Sequence, residues 1–447
     1  MTDADSSEVA GANVAALTQA RALPHDTGDV AAQRRQISRL MWFFAIVYMT
    51  EGLGQSDVGL FAQPVNYYLK QVFGWTPVQV TAYLTVLQFP WFIKPLYGMF
   101  SDFVPLFGYR RKIYLMVFNA LAALAFFWLA RVTQPAGMVS LLLITAYGMA
   151  ISSTLSGAIL VENGQKFRLS GAFVNQQWLW YSVASVTAAA LGGILVQRLA
   201  PAAALHWAAA LTGMAPLTVV VAGAFLISEE KTAIDMEAFR AAFRALLSTL
   251  RSKPVLIVAL FLFFYNFNPG FATPLYYYMT DTLKFSQATI GVLGAIQNAG
   301  WIAGGLLYNR FLGGMTSKRL LNLSIGLGIA GTLGFLFLSE EVSAAVVNFL
   351  FGIAGMIAFV ASLTLAADFC PKRSEGFAYA LLMSITNIAA TASDNLGSYL
   401  YEHVFAYRLS PLIWLAAAFT AFAFMLVPML QLGHKRQGEA VTAGTGA

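Results

Sequence analysis

A series of long apolar runs constrains this chain more than any other feature. Each run is about 20 residues long, the length that a helix needs to cross the hydrocarbon core of a bilayer. Charged residues make up 11% of the sequence, whereas a soluble domain has about 25%. Because so few charges cannot cover a globule in water, the sequence predicts an all-α polytopic membrane protein.

Twelve such runs can be counted, and polar segments separate them. We number them spans 1 to 12. Their predicted bounds are 38–61, 76–101, 111–131, 136–161, 169–197, 204–227, 254–279, 286–311, 318–338, 342–368, 375–401 and 409–432.

A charged segment divides the spans into two groups of six. Phe239, Phe243 and Leu250 recur in it at helical spacing, which predicts an amphipathic helix on the inner membrane surface. The polar, Ala-rich start of the chain predicts a disordered tail. The expected domains are an N-terminal tail at 1–37, a six-helix bundle at 38–227, a linker at 228–253, a second bundle at 254–432 and a C-terminal tail at 433–447.

Lysine and arginine alternate between rich and poor loops. The rich loops and both termini hold 21 of these residues, the other loops hold 5, and Lys94 lies inside span 2. Cytoplasmic loops carry such an excess, so we expect both termini in the cytoplasm and a multi-pass location in the bacterial inner membrane. This bias also accounts for the net charge of +6 without a nucleic-acid partner.

The chain repeats one phrase at an offset of about half its length. FAQPVNYYL at 61–69 and FATPLYYYM at 271–279 share Phe, Ala, Pro and paired Tyr at an offset of 210. At the same offset, Trp91 corresponds to Trp301. The chain is therefore predicted to contain two copies of one six-helix unit.

Residue types that would support an enzyme are scarce. The chain has one cysteine and four scattered histidines, so an intramolecular disulfide is excluded and a metal cluster is not expected. There is no nucleotide-binding loop and no Ser/His/Asp set. We expect no enzyme activity, no metal and no cofactor.

Two six-helix repeats joined by a cytoplasmic linker resemble the major facilitator superfamily. The loop GMFSDFVPLFGYRRK at 98–112 is similar to the superfamily signature between spans 2 and 3. The resemblance implies a monomer whose halves rock about a central site. Asp102, Arg110 and Arg111 are then candidate gate residues at the cytoplasmic side; the alternative is that they only anchor the topology.

Three segments narrow the resemblance. QPVNYYLKQVFGWTPVQ at 63–79, FPWFIKPLYGMFSDFVPLFGYRRKIYL at 89–115 and SEGFAYALLMSITNIAA at 374–390 strongly resemble the folate–biopterin transporter family. This implies a proton-coupled secondary transporter, working by alternating access, for a folate- or pteridine-like aromatic organic anion. The alternatives are another small organic anion, an amino-acid or nucleoside derivative, and, more remotely, a membrane receptor that transports nothing.

Span 4 departs from the family pattern. Members of the family usually carry two aspartates, four residues apart, ahead of Val-Glu. In ISSTLSGAILVE the corresponding positions are Ser153 and Gly157, and Glu162 remains. If the aspartates couple protons or hold the pterin, this chain handles its substrate differently, which favours the second hypothesis.

Charges inside spans are costly, at about 2.5–3.5 kcal/mol each on the translocon scale. Lys94 lies eight residues before Asp102, or about 12 Å into the membrane, and Glu51 lies in span 1. Lys94 is a candidate for an anionic substrate group and Glu51 for the coupling proton; the alternatives are a structural ion pair or a Lys94 that snorkels. Asp394 in span 11 is a second candidate proton carrier.

Amides and aromatic rings accompany these charges, and they suit a flat, hydrogen-bonding heterocycle. The alternative for each ring is helix packing or an interfacial belt. Asn268-Pro269-Gly270 should break span 7 near its middle, as at many transporter sites. The candidate substrate-binding residues are Gln55, Lys94, Gln176, Gln177, Trp178, Tyr265, Asn266, Asn268, Gln297, Asn298, Trp301 and Asn387.

Overall fold

A computed structural model describes most of the chain between its two tails. The described residues are 27–55, 59–237, 239–241, 243–244, 253–368 and 375–430. Nearly all of this chain is helical, and a short bridge of extended backbone pairs Leu106 with Tyr109.

We label the helices in chain order and assign α1–α8 to the N-terminal half and α9–α15 to the C-terminal half. The bounds are α1 Thr27–Gly54, α2 Ala62–Phe73, α3 Pro77–Phe92, α4 Lys94–Phe103, α5 Lys112–Leu129, α6 Pro135–Phe167, α7 Ser170–Arg198, α8 Pro201–Leu226, α9 Lys253–Asn266, α10 Ala272–Asp281, α11 Gln287–Leu307, α12 Ser317–Gly334, α13 Glu341–Asp368, α14 Glu375–Tyr399 and α15 Leu409–Leu426. Single π turns follow α11 and α14, and 3₁₀ turns follow α12 and α15.

Eight of the described helices are long and apolar enough to cross a membrane by themselves. They are α5, α6, α7, α8, α11, α12, α13 and α15. A shorter apolar helix covers Val255–Asn266. The predicted spans 1, 2 and 7 are each divided into two helical pieces, and the count of twelve spans stays a prediction.

The first span differs from its predicted bounds of 38–61. Its helix begins at Thr27, inside the predicted tail, and ends at Gly54; a second piece then runs from Ala62 to Phe73. The predicted loop after residue 61 is thus mostly helix, because its apolar residues form one buried face. Gly74 ends that piece in the left-handed conformation, at φ 64°, which glycine adopts without strain.

Span 7 breaks where its sequence predicts. α9 ends at Asn266 and α10 begins at Ala272, so the Asn-Pro-Gly break is confirmed. Ala62 and Ala272, the first residues of α2 and α10, are related by the offset of 210. The repeated phrase therefore marks a repeated structure, a helix that restarts after a break.

The two halves meet along two seams of different chemistry. Where α7 crosses α11, a Cβ on Gly193 would lie 2.8 Å from the Cα of Gly291, so only glycine permits this close approach. Along α3 and α14 the contacts are polar. Thr81 and Ser398 share a hydrogen bond of 2.7 Å, and Asn395 Nδ2 donates to Thr85 Oγ1 at 2.6 Å.

The ends of the bundle also differ. We call the end with loop 104–111 the basic end, which the positive-inside pattern predicts to be cytoplasmic, and the other end, with residues 74–76, the far end. At the far end the halves are linked: Lys70 Nζ lies 2.5 Å from Asp281 Oδ1, and Tyr277 donates to the carbonyl oxygen of Trp75. At the basic end an acidic and basic network lies within the N-terminal half.

The predicted linker helix begins later than expected. Residues 227–235 have no helical structure and run beside the basic-end loop, where Thr232 N–H donates to the carbonyl oxygen of Gly108 at 2.8 Å. Phe239 follows, with its ring 5.5 Å from that of Phe100. Residues 245–252, which include the predicted Leu246, Leu247 and Leu250, lie outside the described residues.

Candidate functional site

Lys94 lies where the second span is interrupted. α3 ends at Phe92 and α4 begins at Lys94. Pro90 and Pro95 flank this point, and proline removes a backbone donor from the helix ladder. The Lys94 ammonium is 4.4 Å from the ring centroid of Trp91. This cation–π contact offsets part of the cost of a charge at this depth.

Lys94, Ser153 and Glu51 form a charged centre from three helices, α4, α6 and α1. Lys94 Nζ donates to Ser153 Oγ at 3.2 Å. The same hydroxyl is within hydrogen-bonding reach of the Glu51 carboxylate, and Glu51 and Lys94 attract each other. All three side chains are half-buried. Glu51 Oε2 has no hydrogen-bond partner among the described residues, so the carboxylate keeps an unused acceptor beside a cation.

Gln55 connects this centre to the aromatic residues of α7. It follows Glu51 by four residues, and its backbone N–H donates to the Glu51 carbonyl oxygen at 3.0 Å. The hydroxyl of Tyr181 donates to Gln55 Oε1 at 2.7 Å. Tyr181 in turn lies edge-on to Trp178, with ring centroids 5.9 Å apart. Amide and rings thus continue from the acid toward the C-terminal half.

Trp178 meets the C-terminal half through Phe359 of α13. Their rings are edge-on with centroids 5.1 Å apart, and Phe359 is also 5.6 Å from Trp301 of α11. Trp178 lies eight residues into α7 and Phe359 nine residues before the end of α13, so both lie about 12–14 Å from the basic-end helix termini. This depth matches that of Lys94. We call Trp178, Phe359 and Trp301 the aromatic bridge.

The two departures in α6 face the same region. Ser153 touches Lys94, as described, and Gly157 is half-buried. A Cβ on Gly157 would have no heavy atom within 4 Å. The position therefore opens onto free space, one helical turn beyond the charged centre on the same face of α6.

Several predicted residues are used in packing. Gln176 is buried and accepts from Trp180 Nε1 at 2.7 Å on its own helix. The Tyr265 hydroxyl shares a hydrogen bond of 2.6 Å with Ser324, and Asn268 Nδ2 donates to Thr420 Oγ1 at 3.1 Å. These contacts remain inside one half. They place the three side chains as structural supports rather than as walls of the charged centre.

Two predicted amides form hydrogen bonds along their own helices. Asn266 donates to the Leu262 carbonyl oxygen at 2.8 Å and Asn298 to that of Gly294 at 3.0 Å. The other predicted amides of α7 and α11 are half-buried, namely Gln177 and Gln297.

The α14 candidates lie near the junction of the halves. Asn387 Nδ2 donates to the carbonyl oxygen of Trp91 at 3.4 Å, which joins α14 to α3 one turn from Lys94. Asp394 lies against Gly270 in the break of span 7, so tightly that a Cβ on Gly270 would collide with the carboxylate. Asp394 thus braces a helix break and lies away from Glu51 along the chain of contacts.

The candidate gate residues interact with each other at the basic end. Arg111 Nη2 lies 3.0 Å from Asp102 Oδ1, and Arg111 Nη1 lies 2.5 Å from Glu162 Oε2. Glu229 accepts from the backbone N–H groups of Arg110 and Arg111, both at 3.1 Å. A carboxylate at these N–H groups stabilises the start of α5. Asp102 is therefore paired within its own half in this conformation.

Sequence reasoning missed part of this arrangement. Phe359 lies in an apolar run, where nothing distinguishes a ring that faces the centre from one that faces lipid. Ser153 stands out in the sequence only for the aspartate it replaces, and its contact with Lys94 needs the folded structure. Within the described ranges, no three His, Cys, Asp or Glu side chains gather as a metal site requires.

Comparisons with known sequences agree with one another. A model of the BT1 family matches residues 56–432. The chain is similar to the "Folate-biopterin transporter" of Synechocystis sp., with 31% identity over 375 residues, or 79% of this chain and 73% of that protein. It is also similar to "Folate transporter 1" of Plasmodium falciparum, with 24% identity over 75% of this chain and 68% of that protein.

Solved structures with a similar fold are transporters. The match to a crystal structure of a D-xylose–proton symporter covers 88% of this chain and 97% of that one, with a TM-score of 0.66 and 13% identity. The match to a crystal structure of the nucleoside transporter NupG covers 88% of this chain and 98% of that one, with a TM-score of 0.63 and 14% identity. At such identity these likenesses show the fold alone, which is that of the major facilitator superfamily.

Proposed function

Because the chain belongs to the BT1 family of membrane transporters, we propose that it carries a folate- or pteridine-like organic anion across the membrane, coupled to protons, by alternating access. The names of its relatives support the substrate class. The observation that carries the proposal is the charged centre: Lys94, Ser153 and Glu51 in contact at a depth where charges are rare.

Lys94 is the proposed site for the anionic group of the substrate. In the empty protein its ammonium interacts with Ser153 and Glu51. A substrate carboxylate can replace the hydroxyl, since an ionised acceptor binds an ammonium more strongly than a neutral one. Lys94 then faces two anions, the substrate and Glu51.

Glu51 is the proposed proton carrier. Two anions beside one cation leave an unbalanced negative charge in a poorly solvated place, which is costly. Uptake of one proton by Glu51 removes that charge. Substrate and proton therefore favour each other's binding, and this mutual dependence is the thermodynamic basis of coupling.

The aromatic bridge is the proposed contact for the heterocycle. Trp178, Phe359 and Trp301 present ring faces and edges at the depth of Lys94. Stacking on aromatic side chains stabilises flat rings. Because Trp178 belongs to one half and Phe359 and Trp301 to the other, a ring bound here would contact both halves at once.

A second candidate substrate class is another small organic anion, or an amino-acid or nucleoside derivative. The observation in its favour is the pair of positions Ser153 and Gly157, which supply no carboxylate to read the edge of a pterin. Gly157 leaves open space in the same region. Such a transporter would use Lys94 in the same way and differ in the ring that it accepts.

A binding experiment separates the two classes. Detergent-purified protein would be tested by thermal shift against folate, a simple pterin, a benzoate and a nucleoside. We expect stabilisation by folate and pterin that is lost in Lys94→Ala and kept in Lys166→Ala, an exposed lysine at the basic end. Stabilisation by the other compounds alone would reject the pteridine proposal and favour the second candidate.

A further inference from the structure

The N-terminal turns of α3 and α11 each receive a side chain from the opposite half at the far end. Near the end of α7, Gln197 Oε1 accepts from the backbone N–H groups of Gln287 at 3.1 Å and Ala288 at 3.4 Å. In the π turn after α14, Glu402 Oε2 accepts from the backbone N–H of Val78 at 3.1 Å. Each contact joins one half of the protein to the other.

The two contacts are related by the internal repeat. Val78 and Ala288 are both second residues of their helices and are separated by the offset of 210. Their partners come from the helices that occupy the fifth and eleventh positions in the predicted order of spans. A twofold exchange of the halves therefore maps one contact onto the other.

Local capping explains why these particular N–H groups are available. The first four N–H groups of a helix have no partner within it. Thr76 accepts from Gln79 N–H at 3.4 Å and Ser286 accepts from Thr289 N–H at 3.0 Å, so each helix caps its own third residue. The first and second N–H groups are left for a side chain of the other half. Pro77 has no N–H, which is why Glu402 binds one group and Gln197 two.

We propose that Glu402 and Gln197 are a pair of latches that hold the far end closed. The far end can open only if both contacts break, which exposes two helix N-termini at the same time. Glu402 is the stronger latch, because a carboxylate is favoured at a helix N-terminus and its side chain is only 11% exposed. Gln197 is neutral and exposed. The latches act on the closure of the halves, whatever substrate is carried.

Neighbouring contacts support α11 in this role. Gln63 Nε2 of α2 donates to the Gln287 carbonyl oxygen at 2.8 Å, and Tyr276 donates to Gln287 Oε1 at 3.2 Å. The first residue of α11 is therefore fixed by both halves. Its N–H can meet Gln197 only while the far end is closed.

Distance measurements between spin labels test the latches without any substrate. Cysteines would replace the exposed Val72 and Phe337, on opposite halves at the far end, after Cys370→Ser. A second pair at Gln165 and Lys318 would report the basic end. In lipid nanodiscs, we expect Glu402→Ala to increase the population with a long far-end distance about tenfold, as for a lost charge-assisted hydrogen bond.

Matched variants distinguish a latch from a general loss of acidity or of folding. Glu341 accepts from Thr289 Oγ1 at 3.0 Å inside the C-terminal half, so Glu341→Ala should leave the distances unchanged. Glu402→Gln should have a smaller effect, and adding Gln197→Glu to Glu402→Ala should restore closure. Unchanged far-end distances in Glu402→Ala, or in Glu402→Gln combined with Gln197→Ala if Glu402→Ala does not fold, would overturn the proposal. Neither result depends on whether pterins are transported.

Discussion

The two halves of the protein follow the same path but carry different chemistry. Both break their first span, and α2 and α10 restart at equivalent positions. The residue at the offset of 210 from Glu51 is Phe261, which is buried, and the one from Lys94 is Gly304, which packs against α13. The repeat therefore preserves the helices and their breaks, while the charged centre exists only in the N-terminal half.

The rings show the same divergence. Trp91 and Trp301 are equivalent in the repeat, yet Trp91 lies beneath the Lys94 ammonium and Trp301 lies beside Phe359. The N-terminal half thus supplies charge and the C-terminal half supplies most of an aromatic surface. In the proposed transporter, one half binds the anionic group and the other binds the ring. Substitutions in the two halves should therefore change different kinetic constants.

The largest effect is expected in the N-terminal half. Lys94→Ala removes the cation and leaves Glu51 facing Ser153 alone, so uptake at low substrate should fall about 100-fold, as when one partner of a buried charge pair is removed. Initial rates in proteoliposomes would measure it, with Lys166→Ala as the matched surface control. Uptake within twofold of wild type would remove Lys94 from the site.

The next effect separates coupling from binding. Glu51→Gln keeps a side chain of the same shape but cannot release or take up a proton, so stimulation by a proton gradient should disappear. Exchange of labelled for unlabelled substrate should persist, because exchange needs no net proton movement. Loss of both activities in a folded variant would instead make Glu51 a structural partner of Lys94, and Asp394→Asn would be tested next.

A smaller effect is expected in the C-terminal half. Trp301→Ala should raise KM for a pterin about tenfold, since one stacked ring contributes about 1–3 kcal/mol, with little change in gradient stimulation. Trp414→Ala is the control, because this tryptophan of α15 is 59% exposed on the outer face. An unchanged KM in Trp301→Ala would mean that the aromatic bridge only packs the halves together.

The smallest effect tests the other side of the comparison. Tyr265 is the repeat equivalent of Gln55 but donates or accepts within its own half, at Ser324. Tyr265→Phe should lower stability by about 1 kcal/mol, seen as a lower melting temperature, and leave KM unchanged. Gln55→Leu should raise KM instead. If Tyr265→Phe raised KM as well, the halves would share more chemistry than their contacts indicate.

Much of the fold could be predicted from the sequence because membrane helices have a strong signal. The apolar runs, the repeat and the Asn268-Pro269-Gly270 break depend on composition and local backbone chemistry. The restart at Ala62 was missed, since Gln63, Asn66 and Lys70 look polar until α10 and α11 are placed beside them. Gln63 and Lys70 find their partners across the halves, and such contacts leave no local pattern.

The site could be predicted only in part for a related reason. A charge inside an apolar run is visible in the sequence, so Lys94 and Glu51 were found. Amides and rings carry no such signal: Tyr265 and Asn268 support the fold, whereas Tyr181 and Phe359 complete the wall. Which way each points depends on the rotation of its helix, and that is set by packing.

Substrate uptake under an imposed proton gradient tests the central proposal most directly. Proteoliposomes with an acidic exterior would be given labelled folate or a simple pterin, with and without an uncoupler. We predict uptake that exceeds equilibration, disappears with the uncoupler, and is absent in Lys94→Ala. Binding of either compound without any gradient-dependent accumulation, in protein that is folded and monodisperse, would contradict the proposal of pteridine–proton coupling at this site.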